Sequence, residues 1–208
     1  MCMISDMAAE PHPAGLSTLS QIPATFTYTD ALAAGLTDRL LAQLRDSGDI
    51  EQIGRGLYRR TDAEPSADWN LLEIAHRAPR GTLCLASALA RHGLTDLIPG
   101  TIDIAIPRGS TRPKIQAPVA WHHFAPETFE LGRNTTAVDQ GTQIGIYNPE
   151  RSIIDAFRLR RWEGPELGVI ALRRWLRRPG SQPAPLLAMA ANFPATLRPI
   201  RETLEILL

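Results

Sequence analysis

Two groups of side chains in this sequence have the types and spacing to act on a ligand. The first lies within residues 37–60. Thr37, Asp38, Arg39 and Gln43 read as the outward face of a helix, presenting hydrogen-bonding groups to solvent. An arginine fork there can engage guanine O6 and N7, and a glutamine amide can engage adenine N6 and N7. Asp38 can accept from a cytosine amine or brace Arg39. Arg55, Gly56, Tyr58, Arg59 and Arg60 follow on a tight turn and its return strand. Arginines so placed reach phosphate oxygens or the minor groove. Glycine lets the backbone come close, and a tyrosine hydroxyl can donate to phosphate. Together these residues read as a contact to double-stranded DNA.

The second group is sparser. Asp103 sits in the run TIDIAIP with Lys114 downstream, which faintly resembles a metal-dependent nuclease pattern. The simpler reading makes Asp103 a solvent-facing carboxylate on an edge strand and Lys114 a surface lysine. His122 and His123 are adjacent, so a strand would send them to opposite faces and make them a poor chelating pair. No Cys, His or Glu stands at metal-ligand spacing, and the sequence lacks P-loop, GxGxxG and GxSxG patterns. Ser87 and Ser152 have no catalytic companions nearby and suit helix packing. Asp155 lies four residues after Arg151 and three before Arg158, a spacing that favours a helical salt bridge over catalysis. The expectation is a protein without a catalytic residue, a metal or a cofactor.

The DNA-facing group needs a scaffold, and the sequence around it supplies one. Leu16, Leu19 and Ile22 form one stripe of a short helix stopped by Pro23. Thr27 is a suitable N-cap for a second helix, with Asp30 in its first turn. Leu32 is expected to anchor that helix and Gly35 to end it. Thr37 caps a third helix whose buried stripe is Leu40, Leu41 and Leu44, closed by Gly48. Two helices joined by a glycine turn form a helix-turn-helix. The run DIEQIGRGLYRR then reads as a hairpin with Arg55 at its tip. The sum is a winged helix.

Farther on, a helix is expected from Trp69 and a buried one over Thr82–His92. Strands are expected over Ile102–Ile106, Val119–Phe124 and Thr142–Ile146. Asn148-Pro149 marks another helix start. Helices follow over Leu167–Leu176, which is amphipathic, and near Leu186–Ala191 and Leu197–Leu207. Arg173, Arg174, Arg177 and Arg178 gather at the end of the first of these, as a solvated face or a second basic surface. The expected organisation is a disordered N-terminus over 1–13, a winged helix-turn-helix over 14–61, a linker over 62–68 and a mixed α/β domain over 69–208. The fold class is α+β.

Charge limits how this chain can bind. Its 22 basic and 22 acidic residues cancel, which argues against a wholly basic binder while leaving local stripes possible. Over residues 36–60, five arginines face four acids, an excess of one. Promoter binding is therefore expected to need a second copy of the chain or help from the Arg-rich helix. Two cysteines with no CxxC spacing suit a reducing cytoplasm. Neither a signal peptide nor a membrane-spanning run is apparent.

Three segments in order, FTYTDALAAGL…GDIEQIGRGLYRR, LASALARHGLTDLIPGTIDIAIPRG and GIYNPERSIIDAF, resemble the AbiEi-type antitoxins of bacterial type IV toxin–antitoxin systems. The resemblance spans most of the chain from about residue 14. It implies an N-terminal winged helix and an α/β C-terminal domain. It also implies a DNA-binding repressor of its own operon that antagonises a nucleotidyltransferase-like toxin. The alternative drawn from the residues alone is a nuclease-like enzyme brought to DNA by its winged helix.

Overall fold

The computed structural model describes residues 13–64, 68–139 and 141–208. The expectation of disorder over 1–13 thus falls almost wholly outside the described residues. The chain forms two compact units. The first takes the described residues up to Arg77, with Lys114–Gln116 and the described part of 137–143; the second takes the remainder. The expected domain break at 62–68 lies earlier in the chain than the break after Arg77.

The first unit opens with α1 (Pro13–Leu19) and β1 (Thr25–Thr27), followed by α2 (Tyr28–Ala33) and α3 (Asp38–Asp46). Strands β2 (Ile50–Gly54) and β3 (Leu57–Arg60) come next, then α4 (Trp69–Arg77). Thr27 starts α2 through a capping box: its hydroxyl accepts from the Asp30 amide, and the Asp30 carboxylate accepts from the Thr27 amide at 2.8 Å. Thr37 caps α3 by accepting from the Leu40 amide. Between these helices Gly35 sits at φ +91°, a conformation that costs glycine little and other residues much. The three strands form an antiparallel sheet in the order β1-β3-β2. Helix-turn-helix and sheet share a core of Leu19, Ile22, Phe26, Ala31, Leu36, Leu41, Leu44 and Ile50.

Leu32 is not the anchor of α2. It is 45% exposed, while Ala31 and Leu36 are buried. A helix of six residues has too few turns for apolar spacing to reveal which side faces inward.

The second unit is built on a mixed sheet in the order β6-β5-β4-β8-β7. Its strands are β4 (Thr82–Leu83), β5 (Ile102–Pro107), β6 (Val119–Phe124), β7 (Arg133–Asp139) and β8 (Thr142–Tyr147). The described residues of 137–143, from the end of β7 and the start of β8, group with the first unit. The expected single helix over Thr82–His92 is instead the short strand β4 followed by α5 (Leu85–Arg91). Leu83–Ala86 at its start is a short apolar run, which suits a buried strand as well as a helix. Helices α6 (Pro126–Phe129), α7 (Pro149–Arg158), α8 (Arg160–Glu163), α9 (Pro165–Leu176), α10 (Pro183–Ala190) and α11 (Pro194–Leu207) complete the unit. Asn148 caps α7 by accepting from the Arg151 amide at 2.8 Å, with Pro149 in the first turn. Ile153, Ile154 and Phe157 of α7 enter a core with Leu167, Leu172 and Trp175 of α9, Leu186 of α10 and Ile200 and Leu204 of α11.

An ion cluster lies inside this unit. Arg151 and Asp155 are fully buried and joined at 3.0 Å, and Arg158 reaches the same carboxylate at 3.0 Å. Arg151 also donates to the Thr128 and Leu131 carbonyls at 2.6 and 2.7 Å. Its guanidinium lies 4.3 Å from the Tyr147 ring centre and 4.5 Å from that of Phe193. Carbonyl and carboxylate acceptors and π faces thus take the place of water around this cation. The spacing of Asp155 from its arginines has the structural use expected of it.

Candidate nucleic-acid interface

The N-terminal half of α3 and the β2–β3 turn are brought together by Tyr28. Its amide donates to the Gly56 carbonyl at 2.9 Å, and its hydroxyl donates to Asp38 Oδ1 at 2.6 Å. One residue at the start of α2 therefore ties the wing tip to the first turn of the candidate recognition helix. The acceptor role of Asp38 raises the Tyr28 phenol above its ordinary range. Asp38 braces a tyrosine rather than Arg39. The sequence offered Tyr28 only as the first residue of a capped helix, and its partner lies ten positions away. Gly56 at φ +62° lets the chain reverse between Arg55 and Leu57.

Arg39 and Arg55 are exposed, Gln43 is half-buried, and none of their side chains is held by a hydrogen bond or ion pair among the described residues. These three groups, with the exposed Thr37, can donate to an incoming acceptor without first breaking a bond in the protein.

The return strand departs from expectation. Strand alternation puts Tyr58 and Arg60 on the side of Phe26 and Ile50, the face packed on the helices. Tyr58 stacks on Phe26 with ring centres 5.8 Å apart, so its ring serves packing. Arg60 donates to Asp62 at 2.8 Å through two nitrogens and to the Leu19 carbonyl at the end of α1 at 3.3 Å. That pairing raises its pKa further and spends its donors. Arg59 points the other way, into the first unit, and is 1% exposed. It pairs with Asp139, donates to Thr25 and to the Glu64 carbonyl, and lies over the Trp69 ring. Arg59 is therefore a buried structural cation and has no path to phosphate. Its partner Asp139 is 80 positions away, so local sequence held no sign of it.

The Arg-rich end of α9 also divides. Arg174 forms an ion pair with Asp96, its Nη1 at 2.7 Å, and Arg178 donates to the His92 carbonyl. Arg173 and Arg177 are exposed. The four arginines do not form one free basic patch.

Asp103 is not the solvent-facing carboxylate of an edge strand. It lies on β5, between β4 and β6 rather than at an edge, and is 6% exposed. Its amide donates to Ser87 Oγ at 2.8 Å, its carboxylate accepts from the Ser87 hydroxyl at 3.2 Å, and His122 Nε2 stands 3.0 Å away. Glu163 completes a group whose ligand atoms fall within 4.8 Å of one another, the arrangement among the described residues best able to hold a metal ion. These residues come from β5, β6 and α8, so no spacing rule could have joined them. Burial, reinforced by the Asp103 charge, raises the Glu163 carboxyl above its ordinary range. Burial likewise pushes the Cys84 thiol well up, so that cysteine is inert. Lys114 is exposed and belongs to the first unit, whereas Asp103 belongs to the second.

Residues 18–61 match the family described as transcriptional regulator, AbiEi antitoxin. That match covers α2, α3 and the hairpin. Among solved structures, the RV2827C protein from Mycobacterium tuberculosis is similar to this chain with a TM-score of 0.56 at 19% identity. The similarity covers 86% of this chain and 72% of that one, and it is a likeness of fold. No curated protein matches the chain. No helix among the described residues is long and apolar enough to cross a membrane.

Proposed function

We propose that this chain, with an N-terminal module of the AbiEi antitoxin regulator type, represses its own operon by binding promoter DNA. In this reading it is the antitoxin of a type IV pair in the cytoplasm and counteracts a nucleotidyltransferase-like toxin without catalysis of its own. The observation that carries the reading is the exposed pair Arg39 and Arg55, unengaged among the described residues, on an α3 and a wing tip joined by Tyr28. Arg39 and Gln43 read base edges, and Thr37 and Arg55 hold the backbone.

Burial of Arg59 and pairing of Arg60 leave this surface poorer in cation than the sequence count suggested. Affinity therefore comes from two copies on a repeated site. Footprinting of the full chain on the DNA upstream of its own gene tests the reading. Protection of a repeated sequence with no need for divalent metal is the expected result. Absence of protection, or cleavage that requires metal, would contradict it. The antitoxin role predicts a nucleotidyltransferase-like gene beside this one, whose toxicity on expression is relieved by co-expression of this chain.

A further inference from the structure

The second unit holds an open cavity of about 550 Å³. Its walls come from β6, the loop after β5, the end of α7, and α8. Two features set it apart from an ordinary surface hollow. Trp162 is 80% exposed at this site, leaving a large apolar plane in water. Arg108 and Arg112 line the same cavity and are also exposed.

Both arginines keep donors for a ligand. Arg112 donates through Nε to His123 Nε2 at 3.2 Å, which orients the guanidinium and leaves its terminal nitrogens for another acceptor. Arg108 has no side-chain hydrogen bond or ion pair among the described residues. Arg160 and Arg161 precede Trp162 and are exposed, adding positive charge beside the indole. Glu163, on the same wall, supplies a carboxyl group that can pair with amino or ring nitrogens of a base.

A planar stacking surface, arginine forks with donors to spare and one carboxyl acceptor call for a ligand with an aromatic face, an anion and N–H donors. Bases stacked inside a duplex hide their faces, so the indole needs an unstacked base. We propose that this cavity binds a phosphorylated nucleobase, with the base on Trp162 and the phosphate on Arg108 and Arg112. The ligand is a free nucleotide or the end of a single strand. The site shares no residue with the operator-binding surface and does not depend on that reading.

Calorimetric titration of the full chain tests this, with 5′-AMP, 5′-UMP and a 5′-phosphorylated hexauridylate as probes and adenosine and inorganic phosphate as controls. The phosphorylated probes should bind and adenosine should bind less tightly. Trp162→Ala should weaken binding by about tenfold or more, while Trp162→Phe, which keeps a ring to stack on, should retain most of it. The double variant Arg108→Ala/Arg112→Ala should erase the preference of AMP over adenosine and flatten the salt dependence. Tighter binding of the hexamer than of the mononucleotides assigns the site to a strand end; equal binding assigns it to free nucleotide. The double variant Arg39→Ala/Arg55→Ala should titrate like the parent. The proposal is overturned if no probe binds at millimolar concentration, or if Trp162→Ala binds like the parent. It is equally overturned if the Arg39/Arg55 variant loses the probes.

Discussion

Arginine is put to opposite uses at two places in the first unit. On α3 and at the wing tip, Arg39 and Arg55 stand in solvent without partners among the described residues. Only four positions past Arg55, Arg59 is buried against Asp139, Thr25 and the Trp69 ring. Residue type is the same and chain distance is small, yet one kind is available to a ligand and the other is consumed by the fold. The difference comes from strand alternation together with what covers each face. Counting charge along a sequence therefore overstates the cation a binding surface can offer.

Substitutions can break or sharpen this contrast. The largest effect is expected at the buried site. Arg59→Ala leaves the Asp139 carboxylate in a buried place without its cation and should cost about 3–5 kcal/mol in urea unfolding. DNA affinity per folded molecule should keep its salt slope. Loss of slope without loss of stability would make Arg59 a phosphate contact after all.

Arg39→Ala should do the reverse. Stability should hold, while discrimination among operator variants falls by about 1–3 kcal/mol in competition gel shifts.

A smaller effect tests the scaffold beneath both. Thr27→Ala removes the cap of α2 and should cost about 1 kcal/mol in the same urea assay. The helix carries Tyr28, so wing and recognition helix should also lose some of their mutual order.

The smallest effect is a pH dependence. Asp30 is held below the ordinary aspartate range, first by the Thr27 amide and then by the Thr27 hydroxyl. A depressed carboxyl stabilises the fold above its unfolded pKa, near about 4, and that contribution is lost as pH falls through the folded value. Asp30→Asn should show a shallower fall in urea midpoint below about pH 4 than the parent.

What the sequence revealed was mostly local. Thr27 with Asp30, Thr37 with Leu40, and Asn148 with Arg151 are contacts within three residues, and each cap forms where its residues announce it. The strands β5, β6 and β8 were legible through apolar alternation or β-rich runs. β7 was not, because RNTTAVD is polar and none of its residues is fully buried. On α3 and at the wing tip, the exposure of Arg39 and Arg55 was legible because exposed residues need no partner to explain them. Tyr28 and Arg59 were not, since their roles depend on Asp38 and Asp139 meeting them in space. The Asp103, His122 and Glu163 group was hidden for the same reason, its members lying on three separate elements.

The central claim is that α3 and the wing tip, through Arg39 and Arg55, read the operator. The most direct measurement is a fluorescence-anisotropy titration of the full chain and its Arg39→Ala/Arg55→Ala variant on the native promoter at two salt concentrations. Preference for the promoter over random duplex should vanish in the variant, and its salt slope should fall by about one per arginine removed from phosphate. Parent-like preference and slope in a folded double variant would contradict the account.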